Sequence, residues 1–244
     1  MSLQLHYFDS STHAAQALAT MIAADLDAAL QRAMDFPPHA SRPLLLVSGG
    51  RSPLPLFLAL SQQPLAWHKI AVSLVDERCV PVTHADSNSA LVRRHLLINA
   101  AENAQWIELV PPDLSDTDLD SWSCATGAAE IANGNAALAA PSAIVLGIGT
   151  DGHTASLFAD ALQWSLARTT DSRYLAVQPA IAPHPRISLS LSALIAQGRC
   201  QVWAVGPEKL ATIERCRQLP ADACALAALI AEPRVRVQVF YSPS

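Results

Sequence analysis

Charged side chains are scarce in this chain, and basic residues are not in excess. Of the 244 residues, 15% are charged and 51% are hydrophobic, and the formal net charge at pH 7 is −5. This composition supports a sizeable hydrophobic core and argues against disorder. It also lacks the basic footprint of a nucleic-acid-binding protein. We therefore expect a globular protein, with one domain over residues 1–244 and no nucleic-acid partner.

Long uninterrupted apolar runs are missing as well. The longest are broken by proline, glycine or charge, and no basic segment followed by an apolar core stands at the N-terminus. We expect neither a membrane-spanning helix nor a signal peptide.

Cysteine and histidine do not follow the spacings of disulfide frameworks or metal sites. The five cysteines are odd in number and widely spaced, with no Cys-x-x-Cys, which favours reduced thiols in the cytoplasm. Cys79 is disfavoured as a nucleophile because the adjacent Asp76 and Glu77 would raise its thiol pKa. The eight histidines form no His-Glu-x-x-His or similar pattern, so we expect no metal.

Strand-like and helix-like segments alternate along the chain. Apolar runs predict strands at Pro43–Val47, Ile70–Val75, Trp106–Val110, Ala143–Leu146, Tyr174–Val177, Arg186–Leu191, Cys200–Val205 and Val235–Phe240. Helical spacing predicts helices at His13–Met34, Leu54–Leu60, Asn88–Leu97, Trp122–Leu138, Lys209–Arg217 and Ala221–Ile230. The alternation predicts an α/β fold of three layers, a mostly parallel Rossmann-like sheet with helices on both faces.

The first predicted strand runs into a polar turn made of Ser48, Gly49, Gly50, Arg51 and Ser52. The two glycines allow the backbone to turn with its N–H groups exposed, and the following Pro53 suits the first position of a helix. Exposed amides, a helix N-terminus, two hydroxyls and a guanidinium would together hold an anion. An ordinary strand–helix turn remains the alternative.

A second glycine-rich turn, Gly147–His153, follows the strand Ala143–Leu146 and precedes Thr154–Phe158, which we interpret as a helix start. It carries Asp151 and His153, two residues apart. An imidazole can act as a general base near neutral pH, and a nearby carboxylate can orient it. Five of the nine glycines lie in these two turns, which favours one shared site.

Two chemistries compete for these turns. Gly147, Gly149 and Gly152 match the dinucleotide-binding fingerprint, and Asp171 lies at the expected distance, so a nicotinamide-dependent oxidoreductase is an alternative. However, Asp151 would then lie against a pyrophosphate, which a nearby anion would repel. The match also stands deep in the chain, whereas the dinucleotide-binding fold usually begins with this motif. Hydrolysis or isomerisation of a small phosphorylated substrate is favoured, with Arg186 and Lys209 helping to hold the phosphate.

Taken together, the motifs resemble the 6-phosphogluconolactonase family, within the group that includes glucosamine-6-phosphate deaminase. The matching segments stand in family order: Ser48–Pro53, Val75–Arg78, Asp86–Asn88, Gly147–Phe158, Pro185–Leu189 and Gly206–Lys209. Thr154–Phe158 lacks the catalytic glutamate of the deaminase motif, and Arg78 replaces its aromatic residue, so the resemblance favours the lactonase. Departures from the family pattern are Arg51-Ser52, where Ser-Thr is commoner, and Ala159, where proline is usual.

The resemblance implies hydrolysis of 6-phospho-D-glucono-1,5-lactone to 6-phospho-D-gluconate in the oxidative pentose phosphate pathway, without metal or organic cofactor. It implies that His153 deprotonates a water, that Asp151 supports His153, and that Arg78 contacts the substrate or the oxyanion. The substrate-binding and phosphate-binding residues that it implies are Ser48, Gly49, Gly50, Arg51, Ser52, Asp76, Arg186 and Lys209. A phosphosugar lactone is the expected partner, and we expect a monomer. A phosphosugar deaminase or isomerase and a non-catalytic phosphosugar sensor remain alternatives.

Overall fold

The structure is a computed structural model that describes residues 3–35, 42–111, 121–138 and 140–244. Pro37-Pro38, which follow the predicted helix His13–Met34, and the acidic stretch Leu114–Asp120 lie outside the described residues. Among those described, no helix is both long and apolar enough to cross a membrane.

Ten strands and eight α-helices are described. The strands are β1 (Leu3–Tyr7), β2 (Leu44–Val47), β3 (Ala71–Leu74), β4 (Asp76–Arg78), β5 (Gln105–Trp106), β6 (Ala143–Leu146), β7 (Tyr174–Val177), β8 (Arg186–Leu189), β9 (Arg199–Val205) and β10 (Arg236–Ser242). The helices are α1 (Ser11–Asp35), α2 (Leu54–Ser61), α3 (Asn88–His95), α4 (Ser121–Gly134), α5 (Trp164–Thr169), α6 (Leu191–Ala196), α7 (Pro207–Cys216) and α8 (Ala225–Ala231).

The main sheet has seven strands in the order β1-β10-β9-β6-β2-β3-β5, and every neighbouring pair is parallel. All residues of β2, β3 and β6 are buried. Because successive side chains of a strand point to opposite faces, both faces of the sheet are covered. Helix α1 packs on β6 and β10, and α6, α7 and α8 pack on β9 and β10. The predicted α/β fold with a mostly parallel sheet is confirmed.

A smaller antiparallel sheet, in the order β4-β8-β7, was not expected from the sequence. The charged residues Asp76–Arg78, which directly follow the strand predicted at Ile70–Val75, form its strand β4. Its register places Arg78 opposite Arg186 and Asp76 opposite Ser188. The sheet therefore brings together two arginines that lie far apart in the sequence.

The helix start predicted at Thr154–Phe158 is wrong, because this segment forms turns and the next helix is α5. Ala155 has φ +49°, in the left-handed region. The Thr154 hydroxyl donates to Gly147 O, and Ser156 donates from its N–H to the Ser188 hydroxyl. Contacts to other strands thus replace the helical ladder, and the helix that the dinucleotide fingerprint requires here is missing from the described residues.

Other differences lie at the ends of elements. Strand β1 was not predicted, since its partner β10 lies at the other end of the chain. The strand predicted at Trp106–Val110 is limited to Gln105–Trp106, and the helix predicted at Ala221–Ile230 begins at Ala225. Pro53 stands at the N-cap of α2, one position earlier than predicted.

Candidate active site

The two glycine-rich turns meet at the carboxyl ends of the neighbouring strands β2 and β6. The N–H of Gly147 donates to the Ser48 hydroxyl over 3.0 Å, and the N–H of Ser48 donates to Val145 O over 2.9 Å. This is the edge at which parallel α/β sheets bind ligands. Between the turns lies a cavity of about 210 Å³.

Ten of the eleven residues predicted for the site line this cavity: Ser48, Gly49, Gly50, Arg51, Ser52, Asp76, Arg78, His153, Arg186 and Lys209. The eleventh, Asp151, contacts the site through His153. The cavity is also lined by residues to which the sequence analysis gave no individual binding or catalytic role: Pro53, Asn88, Val145, Gly147, Ile148, Ala155 and Trp203.

The His153 imidazole is held by the Asp151 carboxylate, with 2.6 Å between Nδ1 and Oδ1. A carboxylate can only accept, so the bond assigns the proton to Nδ1 and leaves the lone pair of Nε2 for chemistry. The hydrogen bond from His153 lowers the pKa of Asp151 to about 2, so this carboxylate is ionised at neutral pH. The side chain of His153 remains 28% exposed, which leaves it accessible to water.

Glycine is required beside this pair for a steric reason. A Cβ at Gly149 would lie 2.2 Å from Nδ1 and Cε1 of His153 and 2.5 Å from Oδ1 of Asp151. On another side of the imidazole, the Phe158 ring packs with its centroid 4.1 Å away. The pair is therefore positioned by backbone at Gly149 and by an aromatic ring at Phe158.

The cationic side of the cavity is built on the small sheet. Arg186 is only 8% exposed, and burial lowers the pKa of its guanidinium, which the nearby Asp76 opposes. Its Nη1 lies 3.4 Å from the Ser156 hydroxyl, and its guanidinium carbon lies over the Phe158 ring, 5.3 Å from the centroid. The Nε atoms of Arg186 and Arg78 are buried with no hydrogen-bond partner among the described residues. Both guanidinium groups line the cavity, where an anion would accept charge-assisted hydrogen bonds from them.

Asp76 is linked to Arg186 through the hydroxyl of Ser156. Its Oδ2 accepts a 2.6 Å hydrogen bond from the Ser156 hydroxyl, which in turn accepts from Arg186. The carboxylate is buried, and a free carboxylate would repel a phosphate. These contacts favour a positioning role for Asp76 over direct contact with phosphate.

Asn88, which lines the cavity, and Glu77, which holds Asn88 from outside it, lie in the quoted family segments but were given no role in the site. The Asn88 side chain fills the space beside Gly49, where a Cβ would lie 1.9 Å from its Oδ1, and it accepts from Arg78 Nη1 over 2.9 Å. The buried Glu77 carboxylate accepts from the N–H groups of Asn88 and Ser89 at the start of α3. Burial raises the pKa of Glu77, and these hydrogen bonds oppose that rise. The polar run at the end of β3 was the available signal.

No pattern in the sequence indicates that Trp203 lines the cavity. It belongs to the apolar strand β9, so its pattern indicates only a core position. Its indole N–H donates to Ser52 O over 2.9 Å and holds the first turn in place.

One group of metal-ligand type is present among the described residues. The ligand atoms of His84, Asp86 and His184 lie within 4.8 Å of one another, and His184 Nε2 is 3.2 Å from Asp86 Oδ2. Sequence spacing could not indicate it, since His184 comes from a distant loop. Arg78 donates to Asp86 O, and a guanidinium this close disfavours a bound cation.

Known proteins resemble the chain along nearly its whole length. The family profile described as glucosamine-6-phosphate isomerases/6-phosphogluconolactonase matches residues 9–238. A 6-phosphogluconolactonase of Neisseria meningitidis is 37% identical over 239 residues, covering 97% of this chain and 98% of the relative. One of Pseudomonas aeruginosa is 40% identical over 214 residues, covering 86% and 83%. The crystal structure of a 6-phosphogluconolactonase from Shewanella baltica has a TM-score of 0.84 at 34% identity, covering 98% of this chain and 97% of that one.

The fold, the converging turns and these similarities agree with the motifs quoted from the sequence. The chain belongs to the glucosamine-6-phosphate isomerase/6-phosphogluconolactonase family.

Proposed function

We propose that this protein hydrolyses 6-phospho-D-glucono-1,5-lactone to 6-phospho-D-gluconate, the lactonase step of the pentose phosphate pathway. The observation that carries the proposal is one cavity lined by His153, which is paired with Asp151, and by a cationic set that includes Arg78 and Arg186. The names of the relatives support the same reaction.

In this mechanism His153 is the general base. Its Nε2 takes a proton from a water, which attacks the lactone carbonyl carbon, while the Asp151 carboxylate stabilises the imidazolium that forms. Arg78 stabilises the oxyanion of the tetrahedral intermediate. When the ring C–O bond breaks, the imidazolium returns the proton to the leaving oxygen.

Phosphate binding is assigned to the remaining polar groups that line the cavity. The backbone amides of Gly49–Ser52 with Arg51, together with Arg186 and Lys209, hold the phosphate of the substrate. Asp76 keeps Arg186 in place through Ser156. General base catalysis contributes about 10²–10⁴-fold, and orientation by a remote phosphate adds up to roughly 7–11 kcal/mol in ideal cases. A reactive lactone ester therefore needs no covalent nucleophile.

The test is turnover of freshly prepared lactone by His153→Ala, corrected for spontaneous hydrolysis. We expect kcat to fall by about 100-fold or more, because the base is removed. Affinity for 6-phosphogluconate should change little, since the phosphate contacts remain. The matched control is His13→Ala, which removes an exposed imidazole of α1. Wild-type turnover in His153→Ala would reject His153 as the base.

The same preparation separates the two alternatives. A deaminase would release ammonia from glucosamine 6-phosphate, and a sensor would bind 6-phosphogluconate without turning over lactone. We propose a monomer in the cytoplasm, which size-exclusion chromatography and cell fractionation would check. The odd number and wide spacing of the five cysteines favour that compartment.

A further inference from the structure

Two buried cysteines face each other where α7 ends and α8 begins. Cys216 is the last residue of α7, and Cys224 is the N-cap of α8. Their Sγ atoms are 3.5 Å apart, and the residues are 1% and 2% exposed. Most of the connecting residues 217–223 are exposed, so the pair lies directly beneath a surface loop.

This cysteine pair packs against the turn that carries the general base. A Cβ at Gly152 would lie 2.5 Å from Cys224 Sγ and 2.9 Å from Cys216 Sγ. Gly152 has φ +89°, so its backbone is fixed in a conformation that few other residues adopt. Gly152 stands between Asp151 and His153.

The helices that hold the two sulfurs also hold this turn. From α7, the side chains of Thr212 and Arg215 donate to Thr150 O. From α8, the N–H of Leu226 donates to Gly152 O over 3.0 Å. A change in the relative position of α7 and α8 therefore acts on both sides of Asp151.

We propose that Cys216 and Cys224 form a disulfide on exposure to a peroxide, and that this bond displaces the Asp151–His153 turn and lowers lactonase activity. A disulfide has an S–S length of about 2.05 Å, so the sulfurs must approach by roughly 1.5 Å from their thiol positions. Gly152 packs against both sulfurs and is hydrogen-bonded to α8, so it moves with them. The effect on activity rests on the proposed function, whereas formation of the disulfide does not.

The oxidation is balanced with hydrogen peroxide as the oxidant. The Cys224 thiolate attacks one peroxide oxygen, the O–O bond breaks, and a sulfenic acid and water result. Cys216 then attacks the sulfenic sulfur, the S–S bond forms, and a second water leaves. Two electrons pass from the two sulfurs to the peroxide, and the two thiol protons end in water.

Cys224 is the suitable attacking group. Hydrogen bonding from Cys216 and from the N–H groups of Ala227 and Leu226 lowers the pKa of the Cys224 thiol. Burial raises the pKa of Cys200, whose thiol donates to Leu194 O and has no thiol partner among the described residues. Cys200 therefore serves as a control in the same protein.

The experiment treats the folded protein with hydrogen peroxide, alkylates the remaining thiols and maps the peptides without reduction. Trypsin cleaves after Arg217, which places the two cysteines in separate peptides. We expect a cross-linked Cys216–Cys224 peptide, and turnover that falls by about 100-fold in the cross-linked fraction, as for a 1 Å misplacement of a catalytic group. Dithiothreitol should restore the activity. Cys216→Ser and Cys224→Ser should each resist peroxide, and Cys200→Ser should be inactivated like the wild type.

Three results would overturn the proposal: no Cys216–Cys224 cross-link in the folded protein, a cross-link with unchanged turnover, or equal peroxide loss in the serine variants. Cys216→Ala and Cys224→Ala replace the serine variants if circular dichroism shows that these do not fold. If the lactonase proposal itself fails, the reduced protein shows no turnover, while the cross-linked peptide still forms. The two failures are therefore distinguishable.

Discussion

Replacing Gly149 with alanine should inactivate the enzyme by moving one imidazole. A Cβ at this position would lie 2.2 Å from the His153 ring, whereas an ordinary contact is 3.4–4 Å. The new methyl group is fixed to the backbone and cannot swing away. The His153 ring must therefore move by about 1.2 Å or more to reach an ordinary contact distance. A misplacement of this size costs about 10²-fold in rate. We expect Gly149→Ala to lose about two orders of magnitude in kcat.

Gly147→Ala is the matched control, two residues away in the same turn. Its Cβ would meet Ser48 Cβ at 3.8 Å, an ordinary contact, and neither glycine has φ in the left-handed region. The assay is lactone turnover corrected for spontaneous hydrolysis, together with the inhibition constant of 6-phosphogluconate. Gly147→Ala should keep near wild-type turnover, and both variants should bind 6-phosphogluconate as the wild type does. Normal kcat in Gly149→Ala, or equal losses in both variants, would refute the reasoning.

Three further outcomes are expected. His153→Ala should raise the pKa of Asp151 from about 2 towards its ordinary 3.8, as followed by carboxyl NMR titration, because the hydrogen bond that lowers it is lost. Because this pKa is lowered in the native state, the Asp151–His153 pair stabilises the native state above about pH 4, and this stabilisation is lost as pH falls towards 2. The stabilisation is small, since Asp151 is nearly half exposed. Ser156→Ala should lower the free energy of unfolding by about 1–3 kcal/mol, measured by thermal or urea unfolding, and should raise KM. The reason is that the buried Asp76 carboxylate and Arg186 lose the hydroxyl that both contact. An unchanged Tm would contradict this. Gly152→Ala should lower the free energy of unfolding by at least about 1–2 kcal/mol, because the φ of +89° at this position is left-handed and the new Cβ would overlap a cysteine sulfur. The control is Gly127→Ala in α4, where the new Cβ would meet open space and the effect on stability should be neutral or favourable.

Much of the site could be predicted because its local geometry is encoded locally. A strand that ends in glycines must turn, and the turns after β2 and β6 bring their polar groups to one edge of a parallel sheet. Asp151 and His153 are close in sequence, so their contact needed only the turn between them. The ordered motifs then indicated the family.

The arginine side of the site required more than the local pattern. Arg78 and Arg186 are neighbours because β4 and β8 pair in one antiparallel register. A strand of three charged residues gives no apolar alternation from which that pairing could be deduced. The same holds for Asn88 against Gly49 and for Trp203 against Ser52, which join segments far apart in the chain.

The helix predicted at Thr154–Phe158 shows that a prediction made from local sequence can also be overridden by tertiary contacts. Its residues can form a helix locally, yet the polar groups of Thr154 and Ser156 donate hydrogen bonds to Gly147, Asp76 and Ser188. Tertiary hydrogen bonds therefore decided this segment against the local preference.

The sequence by itself determined the alternation of strands and helices, the two glycine turns and the acid–imidazole pair, because each depends on residues a few positions apart. The tertiary structure alone decided which distant groups meet: the paired arginines, the Ser156 hydroxyl between Asp76 and Arg186, and the two sulfurs beneath Gly152. Contacts of that kind are fixed by the packing of whole elements and by strand register, which no short stretch of residues specifies.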